Sequence, residues 1–320
     1  MIENKITQQI ENYIFYKRNL GYKIAVEAQE LRRFANYTRD IGYEGSLTAD
    51  IAIQWASLDP NYSRWYMARR LETVHTFALY AASFDSNAQI PQTGYFGKCH
   101  GRVTPYIYSE KEILLLMKQA ENLYSSDVIR RMTVTTALGL LWATGLRVSE
   151  LTCLTVKDVH YDEGYIFINN TKFKKDRLIF LHPSVSEKLS LYSQLLEKKL
   201  LKRSPEDFFF VTTSGRRFNT PAFEYAFRHI RNCLLASNQS GWTGRRPRLY
   251  DIRHSFACRT IQRWLESGED ANQKIYLLSV YMGHVKPEDT YWYLTATPEL
   301  LGIACNKFEL HCGKEEWLND

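Results

Sequence analysis

The sequence predicts a mainly α-helical protein with a small antiparallel β-sheet, divided into two domains. Three observations carry that reading. Apolar residues recur at helical spacing near the N-terminus, as in Ile6, Ile10, Tyr13, Ile14 and Phe15, then Ala28, Leu31, Phe34, Ala35 and Tyr37. Two runs rich in β-branched and aromatic residues, 165–168 and 178–181, flank a polar, basic turn and predict a β-hairpin. Between these regions Pro91, Gly94, Gly97, Gly101 and Pro105 break all apolar periodicity. The chain therefore divides into a helical domain over 1–90, a linker over 91–105, a mixed domain over 106–297 and a tail over 298–320.

In the first domain, Thr48 and Ser63 have the residue type and position of N-caps for helices over about 49–58 and 64–84. The second of these puts Arg64, Arg69, Arg70 and His75 beside Trp65, Leu71 and Phe77. After the linker, Ser109 and Glu112 form a capping box that opens a helix into Ile113-Leu114-Leu115-Leu116. Residues 130–142 read as helix, Gly145 ends it, and 148–154 reads as a short second helix. Phe208 to Val211 is either a short strand or a buried loop. Helices follow over about 220–236, 249–266 and 271–282, the middle one stopped by Gly268. A short helix over 287–295 carries Tyr293. The tail is partly apolar (Leu300, Leu301, Ile303, Phe308, Leu310) and ends polar.

With 320 residues, 45% of them hydrophobic and 24% charged, the chain has the composition of a globular protein able to build two cores. The N-terminus is polar from Glu3 onward and shows no signal peptide. The most apolar stretch, 137–146, is far short of a membrane span, so a cytoplasmic location is expected. The six cysteines lack the paired spacing of a zinc site, and four read as small core residues. No metal or other cofactor is expected. Net charge is only +6, but residues 1–100 hold 11 basic against 10 acidic side chains, and the remainder hold 30 against 25. Lys172, Lys174, Lys175 and Arg177 form one basic cluster, and Arg245, Arg246, Arg248 and Arg253 another. Clustered cations attract a phosphate backbone, and Arg64, Arg69 and Arg70 extend the candidate DNA-contacting set.

One ordered set of residues carries candidate chemistry. Arg147 follows the Thr144-Gly145-Leu146 break, where a guanidinium can project into a cleft and make bidentate contact with phosphate oxygens. Glu150, three residues on, can fix its orientation. Lys172 lies in the hairpin turn and can protonate a leaving oxygen, although composition does not choose among the lysines there. Tyr250 and Arg253 share a face near a helix start, where free N–H groups also favour phosphate. His284 follows a helix-ending glycine, and Tyr293 comes nine residues later. Cations that neutralise phosphoryl oxygens around a phenol suit nucleophilic attack on a phosphodiester without a metal. Each element alone is also an ordinary structural feature, and the joint order is what is informative.

The segments 144–151, 249–257 and 281–294 resemble the three signature boxes of the tyrosine recombinases, or phage integrases. The likeness covers residues 105–297 and, more loosely, the N-terminal helices, which match the family's core-binding domain. Carried across by position, Arg147 resembles the first catalytic arginine, Lys172 the lysine between two strands, Arg253 the second arginine, His284 the third-box histidine and Tyr293 the nucleophile. Tyr291 competes with Tyr293 but falls two residues short of the usual interval. Tyr250 stands where the family usually has histidine, sometimes lysine; near neutrality it can donate one hydrogen bond but carries no positive charge. His254, about 100° round the helix from Arg253, is expected to point elsewhere.

The resemblance implies a two-domain clamp on double-stranded DNA and cleavage through a 3′-phosphotyrosyl link, with no ATP or metal. It further implies a monomer that becomes a homotetramer on DNA, its tail docking on a neighbour, with accessory DNA-bending or partner recombinase proteins. The 289–294 stretch and Pro298-Glu299-Leu300 look like integrases of transposons and other mobile elements. Two alternatives share the fold: a type IB topoisomerase, and a catalytically silent DNA-binding protein.

Overall fold

The computed structural model describes residues 4–99, 104–124, 128–169, 176–200, 203–239, 242, 246–284, 286, 288–295 and 302. Contacts within the chain divide it into two units, Met1–Val103 and Thr104–Asp320.

The first unit is helical: α1 Lys5–Asn19, α2 Ala25–Asp40, α3 Ala49–Ala56 and α4 Arg64–Ala81. Side chains satisfy the free N–H groups at three of the helix starts. Asn4 accepts from Ile6 N, Thr48 from Ile51 N and Ser63 from Tyr66 N. The inward stripes, led by Ile6, Ile10, Leu31, Phe34, Trp55 and Phe77, form one core. Burying each such side chain contributes about 1.5–3 kcal/mol. Segment 88–99 lies with this unit, tied to α4 by a 2.7 Å hydrogen bond between His75 Nδ1 and the Pro91 carbonyl.

The second unit opens with α5 Glu110–Glu121, whose capping box from Ser109 and Glu112 forms in full. It continues through α6 Ile129–Thr144 and the single-turn α7 Val148–Leu151 to a three-stranded antiparallel sheet. The strands are β1 Val159–His160, β2 Tyr165–Ile168 and β3 Arg177–Phe180, in the order β1-β2-β3. β1 is an addition to the expected hairpin. Ile166 pairs with Ile179 and Ile168 with Arg177, which fixes one buried face. Phe208 and Val211 make only isolated bridges, to Thr155 and Arg217.

α8 Pro183–Leu200 fills a stretch to which the sequence reading assigns no element. Leu189, Tyr192 and Leu196 are its buried stripe, and proline opens it at a position that needs no N–H. α9 Thr220–Ala236, α10 Asp251–Glu266 and α11 Ala271–Met282 follow, then α12 Glu288–Tyr291 and a 3₁₀ turn over Trp292–Thr295. The main core joins α5, α6, α8 and α9 to the sheet. A smaller cluster between α10 and α11 holds Ala257, Cys258, Ile261, Ile275, Leu278, Met282 and Tyr293.

The cysteines are less uniform than expected. Cys258 is buried, but Cys153 is exposed and Cys99 and Cys233 are half-buried. Cys99 donates to Glu72. Cys305, Cys312 and the tail docking expected of residues 298–320 lie outside the described residues, apart from Gly302. Among the described residues no helix is long and apolar enough to cross a membrane.

Candidate active site

The site is assembled on the C-terminal end of α11. The last carbonyls of a helix have no partner within it and carry its negative dipole end. Here three successive ones each receive an arginine. Arg177 Nε donates to the Tyr281 carbonyl at 2.9 Å, Arg253 Nη2 to Met282 at 2.5 Å and Arg147 Nη2 to Gly283 at 2.7 Å. One helix end thus gathers residues far apart in the chain.

Backbone geometry at two glycines makes this approach possible. Gly145 caps α6 with φ +61°, and a Cβ there would lie 2.4 Å from Phe256 Cδ1. Its carbonyl accepts from Arg253 Nη1 at 2.7 Å. Gly283 has φ +64°, and a Cβ there would stand 3.1 Å from Arg177 Nη1 and 3.4 Å from Arg147 Nη1.

Glu150 holds two of the arginines. It accepts from Arg147 Nη1 at 2.7 Å and from the Arg147 backbone N–H at 2.9 Å. Arg177 meets it with Nη1 at 3.1 Å and Nη2 at 2.8 Å. Burial pushes the Glu150 carboxyl up, but these donors outweigh that and hold it below its ordinary value. Arg177 was expected to belong to a DNA-contacting cluster. Its side chain is instead only 10% exposed, because Arg177 shares strand parity with the inward Ile179.

Arg253 is 3% exposed, and burial, followed by the neighbouring Arg147, lowers its guanidinium to about 10. Its Nη2 lies 3.2 Å from His284 Nε2. Arginine can only donate, so Nε2 accepts, leaving Nδ1–H to donate to the buried Thr290 hydroxyl at 2.6 Å. Burial, then Arg253 and Arg147, drives His284 down to about 4. The imidazole is neutral at physiological pH, with its tautomer fixed from both sides.

Tyr293 lies beside this pair, with its ring 6.2 Å from that of His284 and nearly parallel at 22°. It is 3% exposed. Burial raises the phenol well above its ordinary value, while Arg253 and Arg147 act the other way. The competing Tyr291 is 46% exposed. Tyr250 is the N-cap of α10 and is also 46% exposed.

The expectation for His254 fails. Its ring packs against Tyr250 at 5.0 Å, Trp292 at 5.6 Å and Tyr293 at 5.5 Å. Successive helix residues are about 100° apart, and the site wraps round enough of α10 for Arg253 and His254 both to reach it. Spacing was available as a signal: Tyr250 and His254 are four apart, the interval that stacks side chains on one helix face.

Lys172, Lys174, Lys175 and Arg245 lie outside the described residues. Arg64, Arg69, Arg246 and Arg248 are exposed, with Arg248 paired to Asp251 at 2.8 Å. Arg70 departs from the expected exposed flank: it is 4% exposed, its guanidinium 3.9 Å from the Trp55 ring and 4.7 Å from that of Tyr62. It shares the inward stripe with Val74 and Phe77, four and seven residues on. Among the described residues no group of three His, Cys, Asp or Glu side chains could hold a metal ion.

Residues 107–299 match the model of the phage integrase family. The chain is 32% identical to the putative integrase/recombinase y4rB of Sinorhizobium fredii, over 94% of this chain and 96% of that protein. The chain belongs to the phage integrase family.

It is thus a tyrosine recombinase, a site-specific enzyme that cleaves and rejoins DNA. The tyrosine recombinase XerD of Staphylococcus saprophyticus is 26% identical to this recombinase over 76% of this chain and 75% of its own. In fold, the recombinase resembles XerH bound to a palindromic difH substrate, with TM-score 0.66 and 18% identity over 94% of this chain and 84% of that one. It also resembles the Tn1549 transposon integrase with a circular intermediate DNA, with TM-score 0.63 and 16% identity over 89% and 94%. Relatives named as recombinases and integrases favour that activity over the topoisomerase and silent-regulator alternatives.

Proposed function

We propose that Tyr293 is the nucleophile and that Arg147 and Arg253 hold the scissile phosphate, on double-stranded DNA as substrate. The carrying observation is the chain of contacts from Tyr293 through His284 to Arg253. Tyr293 Oη gives up its proton to solvent water and attacks phosphorus, the bond to O5′ breaks, and a 3′-phosphotyrosyl link forms. The 5′ oxygen leaves with a proton from Lys172 as a free hydroxyl. A 5′-hydroxyl of a partner strand then attacks the link and restores Tyr293, so bond energy is conserved without ATP or metal. Tyr250 donates a hydrogen bond to a phosphate oxygen, and neutral His284 keeps Arg253 in place.

Tyr293 is covered here, so attack needs its hydroxyl to be uncovered when DNA arrives while its ring contacts are kept. Four protomers on two sites, with tails docked on neighbours, complete this reading, and transposon-like integration or excision is the context it favours. Accessory DNA-bending or partner recombinase proteins belong to the same reading. The exposed Arg64, Arg69, Arg246 and Arg248, with Lys174, Lys175 and Arg245, supply backbone contacts. The test uses two supercoiled plasmids, one carrying two copies of the element's end sequence and one carrying none. Recombination of the first with no relaxation of the second supports the reading, and relaxation of the second overturns it.

A further inference from the structure

We infer that His254 is a positioning residue that sets the Tyr293 ring for attack, an inference that rests on Tyr293 being the nucleophile. Two imidazoles meet the Tyr293 ring, His284 at 6.2 Å and His254 at 5.5 Å. They differ in how they are held. His284 comes from the turn after α11, and its two nitrogens engage Arg253 and Thr290. Its orientation therefore follows the second arginine. His254 sits within α10, next in sequence to Arg253, so a single helical turn carries both the phosphate-holding guanidinium and a wall of the nucleophile's seat. That fixes the phenol relative to Arg253 with the stiffness of a helix.

The contacts of His254 are angled for holding rings. Tyr250 meets it at 79° and Trp292 at 69°, both edge-to-face, while Tyr293 lies tilted at 56°. Edge-to-face contacts set the positive ring edge against the negative face, an attraction beyond that of buried area alone. His254 thereby joins both ends of the site, the exposed Tyr250 at the start of α10 and the Trp292-Tyr293 turn. One turn along α10 from Tyr250, an imidazole is present against the nucleophile itself.

The test measures single-turnover cleavage of a nicked suicide DNA at saturating enzyme, alongside DNA affinity and thermal midpoint. A displacement of the reacting atom by about 1 Å costs roughly 100-fold in rate, so His254→Ala is expected to slow cleavage by about that factor. Its DNA affinity should stay within about twofold. His254→Phe, which keeps the aromatic wall, is expected to recover to within about tenfold of the unaltered rate. A 5′-bridging phosphorothioate, whose sulfur leaves without protonation, should rescue Lys172→Ala and leave His254→Ala slow.

Wild-type cleavage by His254→Ala, no recovery in His254→Phe, or rescue of His254→Ala by the phosphorothioate each overturns the inference. Parallel loss of cleavage and thermal midpoint in both His254 variants overturns it too. Tyr293→Phe separates the two levels. If that variant still links to DNA the nucleophile assignment fails, whereas if it does not and His254→Ala cleaves normally only the positioning role fails.

Discussion

Arg177 is joined to Glu150 by two hydrogen bonds, 3.1 and 2.8 Å, and through that carboxylate to Arg147. The start of β3, the first signature box and the end of α11 are thus one hydrogen-bonded unit. Glu150→Gln keeps the shape but removes the charge that both guanidinium groups face. Breaking a buried pair from one side costs about 3–5 kcal/mol, so a stability loss of that order is expected in urea titrations. Cleavage should fall by more than the loss of folded protein explains, because Arg147 loses its orientation.

The two glycines separate stability from activity. Gly145→Ala meets Phe256 at 2.4 Å and needs a left-handed φ, which alone costs about 1–2 kcal/mol for a residue with a Cβ. Its thermal midpoint should drop clearly. Gly283→Ala meets the movable ends of Arg177 and Arg147 at 3.1 and 3.4 Å, so its larger effect should be on cleavage rate. Gly42→Ala, with φ +67° and nothing within 4 Å of the added Cβ, reports the backbone cost alone.

His284 gives a pH dependence of known sign. Its folded value, about 4, is below the ordinary 6.5, so between those limits the unfolded chain binds more protons. The stability it contributes is complete above pH 6.5 and is lost as pH falls towards 4. Urea midpoints of the native protein and His284→Gln should therefore converge on acidification and separate above pH 6.5. Divergence in the opposite direction contradicts the neutral tautomer assigned to His284.

Tyr250→Phe removes one exposed hydroxyl and leaves the edge contact with His254 in place. Loss of a hydrogen bond to a charged group costs about 1.5–3 kcal/mol, so cleavage should slow by about tenfold or more with unchanged folding. No change in rate would show that the hydroxyl does not reach the phosphate.

Much of this site was legible because its residues obey local rules. Ser109, Thr48 and Ser63 cap helices as residue type and spacing predict, and Gly145 marks the break after which Arg147 projects. Other features depend on which face of an element a residue occupies. Arg70 and Arg177 read as cations in basic runs, yet helix period places Arg70 with Val74 and Phe77, and strand parity places Arg177 with Ile179. The 18-residue α8 was missed although Leu189, Tyr192 and Leu196 mark its stripe. The gathering of three arginines on carbonyls 281–283 had no sequence signal, because it is made by unpartnered main-chain groups that every helix end possesses.

The most direct test of the account is to trap the full chain on a nicked suicide DNA and identify the DNA-linked peptide by mass spectrometry. A single adduct on Tyr293 is expected, absent in Tyr293→Phe and retained in Tyr291→Phe. An adduct on Tyr291, or a covalent complex that survives Tyr293→Phe, contradicts it.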